Sequence, residues 1–279
     1  MLSQTTRTGH HEPMSRLALL LTLAAALVAG CGGEAREADA PPPDVTGVVT
    51  PPPDSTTSAQ HLSPPVRCEA GTSRSYESRG VAAVVRRPVV AFRTPGRGVV
   101  ERFGLRNVNG VRTTFRVLEA RLGADCRPAW YRVQLPIRPN GAEGWVAASA
   151  VRRYSVAFRI LVDLSDRMVT VYHHGDVLVR TRTAIGLPET PTPTGRYYVN
   201  QRLLASDPSG PWGAGGIGIS AFSPTLVDWA QGGPIAIHGT NQPESIGQVT
   251  SNGCLRIANA VLERLIHVVP DGTPVRIRA

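Results

Sequence analysis

Apolar and polar side chains alternate along much of the C-terminal half of the chain. The clearest stretches are Phe158–Leu164 and Val169–Tyr172. A period of two places apolar side chains on one face of a strand, so both stretches are predicted strands. The polar segment His173–Asp176 then separates Val169–Tyr172 from a further apolar run, which predicts a hairpin. Only Ala258–Val269 has apolar residues at helical spacing, and we predict the one substantial helix there.

An earlier region, Val84–Val151, has short apolar runs separated by Gly, Pro and Asn, such as Val89–Phe92 and Thr113–Leu118. This pattern predicts about five strands of a small barrel. Trp130–Pro136 followed by Gly144–Val146 resembles bacterial SH3-like domains. We therefore predict an SH3-like β-domain over residues 67–152.

The N-terminus carries an export pattern. Leu17–Ala29 is an apolar run of about thirteen residues behind Arg16, too short to span a bilayer as a helix. It ends in Leu27–Cys31, which resembles a bacterial lipobox, where the cysteine is diacylated and becomes the new N-terminus. Residues 1–31 are thus predicted to be a lipoprotein signal peptide, and Cys31 a membrane anchor. An ordinary cleavable signal is the alternative.

Residues 32–66 have the composition of a tether. They contain two Pro-Pro-Pro-Asp repeats, Pro41–Asp44 and Pro51–Asp54, and almost no large apolar residues. Such a segment cannot bury enough surface to offset its chain entropy, and prolines hold it extended. We predict a disordered linker between membrane and folded region.

Composition narrows the function further. The 279 residues are 42% hydrophobic and 18% charged, with a net charge of +9. A basic protein suits anionic envelope polymers or nucleic acid, but no nucleic-acid fold signature accompanies the charge, so no nucleic-acid partner is predicted. No phosphate-binding loop, dinucleotide fingerprint or metal-ligand set is found, and the pair His173–His174 stands alone at a hairpin tip. We predict neither cofactor nor metal.

The chemistry is concentrated in Ile237–Thr240 and Ser251–Arg256. These place His238 and Cys254 sixteen positions apart, each beside a glycine. A cysteine needs a neighbouring base to become a useful nucleophile, because the free thiol is mostly protonated at neutral pH. Glycines allow main-chain N–H groups to approach a reacting carbonyl. The pattern indicates a Cys/His acyl-transfer site.

Of the four cysteines, Cys31 has a predicted lipid and Cys254 a predicted catalytic task. Cys68 and Cys126 remain, and two such residues can pair in an oxidising compartment. Whether they do depends on a Cα separation that the sequence does not give.

The motif HGT…SNGCLR resembles that of the L,D-transpeptidase catalytic domain of the YkuD type, which usually reads HGT…SHGC[IL]R. The resemblance extends over residues 156–279 and includes Pro191–Tyr197, a PTPxG turn, the glycine-rich Gly210–Phe222 and the closing strand Gly272–Ile277. Asn252 is a departure, since it occupies the position where a second histidine is commonest. The predicted fold is therefore mainly β: a small SH3-like barrel, then a β-sandwich-like catalytic domain with one helix.

What the resemblance implies is peptidoglycan cross-linking between stem peptides, with acylation of the enzyme by carbapenem-type inhibitors. Cys254 would attack the amide before the terminal D-Ala, and His238 would take its proton and return one to the leaving amine. The Gly239 carbonyl would orient the imidazole. Main-chain N–H groups of Gly253 and Cys254, with Asn252, would stabilise the oxyanion.

Several assignments stay open at this stage. Ser251 either shapes the turn or contacts substrate, and Arg256 either binds a substrate carboxylate or forms a structural salt bridge. The loop Asp207–Gly216, which includes Trp212, either borders the cleft or is a surface loop. Water as acceptor would make an L,D-carboxypeptidase, and the amine of another protein would make an anchoring enzyme. A non-catalytic wall-binding lipoprotein is the alternative to any enzyme. The predicted location is the bacterial envelope, lipid-anchored to the outer face of the membrane.

Overall fold

Two eight-stranded sheets account for most of the secondary structure. The structure, a computed structural model, describes residues 68–69 and 71–279. The predicted signal peptide with Cys31 and the linker over 32–66 lie outside the described residues. The described chain is mainly β, as predicted, and none of its helices is long and apolar enough to span a membrane.

The first sheet is built from strands β1 to β8, paired antiparallel in the order β4-β3-β7-β6-β5-β2-β8, with β1 beside β5. The strands are β1 Ser73–Ser75, β2 Val81–Val85, β3 Val89–Thr94, β4 Arg97–Phe103, β5 Thr114–Leu122, β6 Pro128–Gln134, β7 Glu143–Ala147 and β8 Val151–Ser155. Its classification as an SH3-like domain, and the boundaries 67–152 and 156–279, stay predictions.

The remaining strands are β9 Phe158–Asp163, β10 Met168–His173, β11 Asp176–Arg182, β12 Ile185–Gly186, β13 Gly195–Leu204, β14 Gly215–Phe222, β15 Pro234–His238, β16 Val249–Ser251, β17 Leu255–Arg256 and β18 Pro274–Arg278. The second large sheet has the order β11-β10-β9-β18-β13-β14-β15-β17, and β12 pairs with β16 separately. One α-helix, α1 (Asn259–Val268), follows β17, and short 3-10 turns occupy Ala148–Ala150, Ala230–Gly232 and Pro243–Ser245. The predicted helix is confirmed to within one residue at each end.

Strand β13 joins the two halves of the second sheet. Its first half, Gly195–Tyr198, pairs with β18, and its second half, from Val199, pairs with β14. Between Val199 and Gln201 the register shifts, because β13 advances two residues while β14 advances from Ile219 to Gly218. This is a β-bulge with Asn200 as the extra residue, a feature that bends a strand and re-aims its side chains.

One hydrophobic core fills the space enclosed by the second sheet and α1. It combines apolar residues of β9 and β10 with those of β14, β15, β17 and the helix, among them Val162, Val171, Ile217, Ile237, Leu255 and Leu262. The hairpin β10–β11 turns at His174 (φ 52°) and Gly175 (φ 100°). Two consecutive positive φ values are typical of the tight turn that suits strand twist.

The two sheets pack into one compact unit through side chain to main chain hydrogen bonds. The turn between β6 and β7 contributes Asn140, whose amide both donates to the Phe222 carbonyl and accepts from the Phe222 N–H, each at 2.8 Å. Arg138 of the same turn donates to the carbonyls of Ser223 and Gly232. The first sheet therefore holds the segment that leads from β14 into β15.

Cys68 and Cys126 are joined by a disulfide, with Cα atoms 5.0 Å apart and a sequence separation of 58 positions. The bond ties the start of the described chain to the loop between β5 and β6. Cross-linking a segment of this length restricts the unfolded chain, which stabilises the fold.

Candidate active site

Strands β14, β15 and β17 form a surface with two different faces. Ile217, Ile219, Ile235, Ile237 and Leu255 alternate toward the core and are almost fully buried. The other face carries, at the intervening positions, Gly216, Gly218, Ala236, His238, Cys254 and Arg256. The alternation that the sequence shows in Ile235–His238 thus places the histidine opposite the core side chains, as a strand requires.

Register brings the two predicted catalytic residues onto this one face. β15 and β17 are parallel, with Ile237 opposite Leu255 and His238 opposite Arg256. Cys254 therefore lies beside Ala236, two positions before His238 and on the same face, and diagonal neighbours on one face of a sheet lie within reach of an aromatic side chain. His238 and Cys254, sixteen positions apart in sequence, therefore lie on β15 and directly before its neighbour β17.

His238 is oriented by its own neighbour. Its Nδ1 lies 2.6 Å from the Gly239 carbonyl oxygen, and only 6% of the residue is exposed. A carbonyl oxygen can only accept, so Nδ1 carries the proton and Nε2 is left as the acceptor. The hydrogen bond expected from the family resemblance is present, and it gives the imidazole the tautomer of a general base.

The Trp212 indole covers the imidazole. The two ring centroids are 4.5 Å apart, and 47% of Trp212 is exposed. The loop Asp207–Gly216 therefore borders the candidate site, which was one of its two interpretations. An aromatic ring between imidazole and solvent also contributes to the burial of His238.

Main-chain groups of β15 hold the Cys254 thiol. Its Sγ donates weakly to the Pro234 carbonyl at 3.9 Å, and the Ala236 amide donates to the sulfur. The sulfur is thus directed at Pro234 in this structure, and a proton transfer from Sγ to His238 Nε2 would require rotation of the Cys254 side chain to another staggered position.

Both groups are kept neutral in the resting protein. Burial lowers the pKa of His238 to about 4, opposed by the hydrogen bond to Gly239 and assisted by the charge of Arg256. Burial also raises the pKa of the Cys254 thiol, while the Ala236 amide and Arg256 favour the thiolate. At pH 7 the site therefore holds a protonated thiol beside a neutral imidazole.

This low pKa predicts a pH-dependent stability. The folded-state pKa of His238, about 4, lies below its ordinary value of 6.5, so the unfolded chain binds the proton first as pH falls. The contribution of neutral His238 to the free energy of unfolding is fully present above pH 6.5. It is lost as the pH falls to about 4, and the total loss is about 3 kcal/mol. Urea unfolding at pH 7 and pH 4 should therefore show a weaker pH dependence in His238→Gln than in the parent.

The matched control for that experiment is His267→Gln. His267 is an exposed residue on α1, so this variant shows whether the loss of a histidine elsewhere in the fold has the same effect. An identical pH dependence in the parent and in His238→Gln would contradict a buried, neutral His238.

The turn before Cys254 is fixed by side-chain hydroxyls. Ser251 Oγ donates to the Cys254 carbonyl at 2.6 Å and accepts the Gly253 N–H at 3.2 Å. Thr192, from the PTPxG turn, donates to the Gly253 carbonyl at 2.9 Å. Gly253 has φ 105°, and a Cβ there would lie 3.0 Å from Ile235 Cδ1, so the position requires glycine. Ser251 thus shapes the turn, and the Gly253 N–H predicted for the oxyanion is already engaged.

Arg256 lies next to His238 on the face of the sheet that also carries Cys254, which is called the catalytic face below. Its guanidinium donates to the Gln242 side-chain oxygen at 3.0 Å, and its buried Nε has no hydrogen-bond partner among the described residues. Within that part of the chain it forms no ion pair, so the salt-bridge interpretation is not supported by a partner. Asn252 is exposed at the tip of the turn.

Asn259 is a site residue that the sequence analysis missed. Its side chain accepts the Thr240 N–H at 2.8 Å and donates to the Thr240 carbonyl at 3.1 Å, so it fixes the chain directly after His238–Gly239. An asparagine at a helix start is usually interpreted as a cap. Here the cap residue is Ala258, and the Asn259 side chain holds Thr240 in the loop after β15 instead.

The paired histidines at the β10–β11 turn lie apart from this face. His173 stacks on Phe158 with centroids 4.3 Å apart and also contacts His174. Across residues 68–69 and 71–279, no group of three or more His, Cys, Asp or Glu side chains could hold a metal ion.

Sequence comparison identifies relatives of this chain. Residues 157–277 match the model of the YkuD family, the L,D-transpeptidase catalytic domain. Over 124 residues the chain is 33% identical to the candidate L,D-transpeptidase YkuD of Bacillus subtilis strain 168, covering 44% of this chain and 68% of that protein. The candidate L,D-transpeptidase YkuD of Bacillus licheniformis is 36% identical over 124 residues, covering 44% and 67%.

Among solved structures, L,D-transpeptidase 3 from Mycobacterium tuberculosis in complex with a faropenem-derived adduct aligns with a TM-score of 0.39 and 17% identity, over 51% of this chain and 76% of that one. A TM-score of this size is too low to transfer geometry or function. The sequence identity to the two Bacillus proteins extends over two thirds of their length, which is sufficient to assign the family. The chain belongs to the YkuD family of L,D-transpeptidase catalytic domains.

Proposed function

We propose that this protein is a peptidoglycan L,D-transpeptidase that cross-links stem peptides through a Cys254 acyl-enzyme with release of D-Ala. The observation that carries the proposal is the placement of Cys254 and His238 on one face of the sheet, with Nδ1 of the histidine occupied by Gly239. A neutral imidazole with a free Nε2 is the group that a buried thiol needs as a base.

The first half-reaction forms a thioester. As Cys254 Sγ attacks the carbonyl carbon before the terminal D-Ala, His238 Nε2 takes the thiol proton. The tetrahedral intermediate then loses its C–N bond, and the imidazolium returns the proton to the departing amine of D-Ala. Because the pKa of His238 is about 4, the imidazolium is a strong acid and gives up this proton readily.

The second half-reaction reverses the proton path. The side-chain amine of a third residue on another stem attacks the thioester carbon and passes a proton to His238 Nε2. Sγ leaves and is reprotonated, so the enzyme is restored and one amide bond has replaced another. Since the Gly253 N–H is used within the turn, oxyanion stabilisation falls to the Cys254 N–H and Asn252.

Arg256 is suited to a substrate carboxylate. It lies beside His238 on the catalytic face and hydrogen bonds only a neutral amide, so its charge is uncompensated within the described chain. A guanidinium of this kind binds carboxylates strongly, and stem peptides carry them. The export signal and Cys31 would place the enzyme at the outer face of the membrane, which is where such a substrate is found.

Product analysis tests the proposal. The protein is incubated with a disaccharide-tetrapeptide, and the products are separated by chromatography and mass spectrometry. Free D-Ala with a cross-linked dimer supports the transpeptidase, and free D-Ala with only the trimmed tripeptide indicates an L,D-carboxypeptidase that uses water. No D-Ala from protein shown to be folded would favour a non-catalytic wall-binding protein.

A further inference from the structure

A cavity of about 440 Å³ opens where the first sheet meets the second large sheet, which carries His238 and is called the catalytic sheet below. One wall comes from the loop after β4, with Asn107 and Asn109, and the other from Asn200 and Gln201 of β13. Phe103 and Phe222 complete the apolar part, and Pro234 connects the cavity to β15. The Pro234 carbonyl is the acceptor of the Cys254 thiol, so the cavity adjoins the catalytic face.

Register connects the cavity to the thiol. Cys254 lies beside Ala236, Ala236 pairs with Gly218, and Gly218 pairs with Gln201. These positions form a row across four strands with only small side chains between its ends. Three strand spacings of about 4.8 Å make the row about 14 Å long, which is the length of about four extended peptide residues.

The bulge at Asn200 places two polar side chains at the Gln201 end of this row. A Cβ added to Gly218 would lie 2.6 Å from Gln201 Cγ and 3.1 Å from Asn200 Oδ1, so both consecutive side chains lie over Gly218. Regular alternation would have placed them on opposite faces. The bulge therefore brings a second carboxamide into the cavity.

One polar atom in the cavity wall has no hydrogen-bond partner among the described residues. Gln201 Oε1 accepts from Asn107 Nδ2 at 2.8 Å and from Asn109 Nδ2 at 2.9 Å. Asn200 Oδ1 is buried and has no hydrogen-bond partner in the described chain. A buried unpaired acceptor costs free energy until an N–H or O–H group reaches it.

The lining indicates the class of ligand. Carboxamides both donate and accept, which matches the secondary amides of a peptide or an N-acetyl sugar. The charged residues that line this cavity are Arg102 and Arg106, with no carboxylate among the lining residues described. An amide-rich ligand of neutral or negative charge fits, and a cationic ligand does not.

Proton chemistry decides which part of the substrate lies there. His238 must reach the leaving amine and the attacking amine, so D-Ala and the acceptor stem both lie on the His238 and Trp212 side of the thiol. The rest of the donor stem then extends the opposite way, toward Pro234 and the cavity. Resting on the proposed function, we propose that this cavity binds the sugar-proximal end of the donor stem, with Asn200 Oδ1 accepting one of its N–H groups.

Binding measurements on the full-length protein test this subsite without requiring turnover. In a Cys254→Ala background, titration calorimetry compares a disaccharide-tetrapeptide with the C-terminal dipeptide of the stem, which is too short to reach the cavity. We expect the longer ligand to bind at least tenfold more tightly. Asn200→Ala and Val108→Trp should each remove most of that difference in affinity. Val108 lines the cavity and is 83% exposed, so a larger side chain there fills the cavity without disturbing the core.

Val177→Trp is the matched control. Val177 is 58% exposed on β11, the opposite edge strand of the catalytic sheet, and its replacement should change neither affinity by more than twofold. Equal preference for the longer ligand in all variants would overturn the subsite. D-Ala release by the protein that retains Cys254 separates the two proposals. D-Ala release by the parent, together with unchanged ligand affinity in Val108→Trp, would contradict the subsite alone. Ligand affinity that depends on the cavity, without any D-Ala release, would contradict the transpeptidase alone.

Discussion

Cys254→Ala is expected to lower the rate of D-Ala release by at least about 10⁴-fold, because loss of a nucleophile removes the covalent route as a whole. The Sγ atom interacts with main-chain groups of Pro234 and Ala236. Its removal leaves no buried charge and costs only a weak sulfur hydrogen bond at each of these two groups, so the variant should fold. Steady-state release of D-Ala from a disaccharide-tetrapeptide measures the effect, with circular dichroism and thermal unfolding as the folding check.

Residual activity within about tenfold of the parent would contradict the role of Cys254. Cys254 is the free thiol of the described chain, since Cys68 and Cys126 are paired. No second sulfur there can therefore substitute for it. Retained activity would point to a water-based reaction and away from an acyl-enzyme.

His238→Gln is expected to lower kcat/KM by about 10²–10⁴-fold, the usual contribution of a positioned general base. Glutamine can keep a hydrogen bond to the Gly239 carbonyl but cannot accept the thiol proton. In the parent, kcat/KM should stay level as pH falls and decline only near pH 4, since burial holds the pKa of His238 at about 4. The measurement is the pH profile of kcat/KM for the parent, with His267→Gln as the control histidine.

A decline centred near pH 6.5 would mean that the imidazole is solvated, and would contradict the burial on which the neutral pair depends. Activity of His238→Gln equal to that of the parent would remove histidine from the mechanism. His267→Gln should match the parent at every pH, because its side chain is exposed on α1.

The elements set by local pattern could be predicted from the sequence. Period-two alternation gave the strands around Ile160 and Val171, and helical spacing gave α1 to within one residue at each end. These elements depend on neighbours within a few positions, where sequence patterns are most informative. The proximity of His238 and Cys254, which are sixteen positions apart, was expected from the resemblance of HGT…SNGCLR to the family motif.

Features that depend on distant partners could not be predicted. Asn259 fixes Thr240 from nineteen positions away, Asn140 holds Phe222 from eighty-two, and the bulge at Asn200 depends on the register with β14. None has a local signature, since asparagine occurs in turns and caps for many reasons. The thiol's contact with Pro234 was missed for the same reason: it follows from the parallel pairing of β15 and β17.

Intact-protein mass spectrometry tests the central claim most directly, because it observes the acyl-enzyme itself. The protein and its Cys254→Ala variant are mixed with a disaccharide-tetrapeptide, and separately with a carbapenem. Each mixture is quenched in acid, and the mass of the intact protein is measured. The account predicts an added mass on the parent equal to the donor less D-Ala, or to the carbapenem, and none on the variant. D-Ala release without any added mass on the parent, or equal added mass on both proteins, would contradict it.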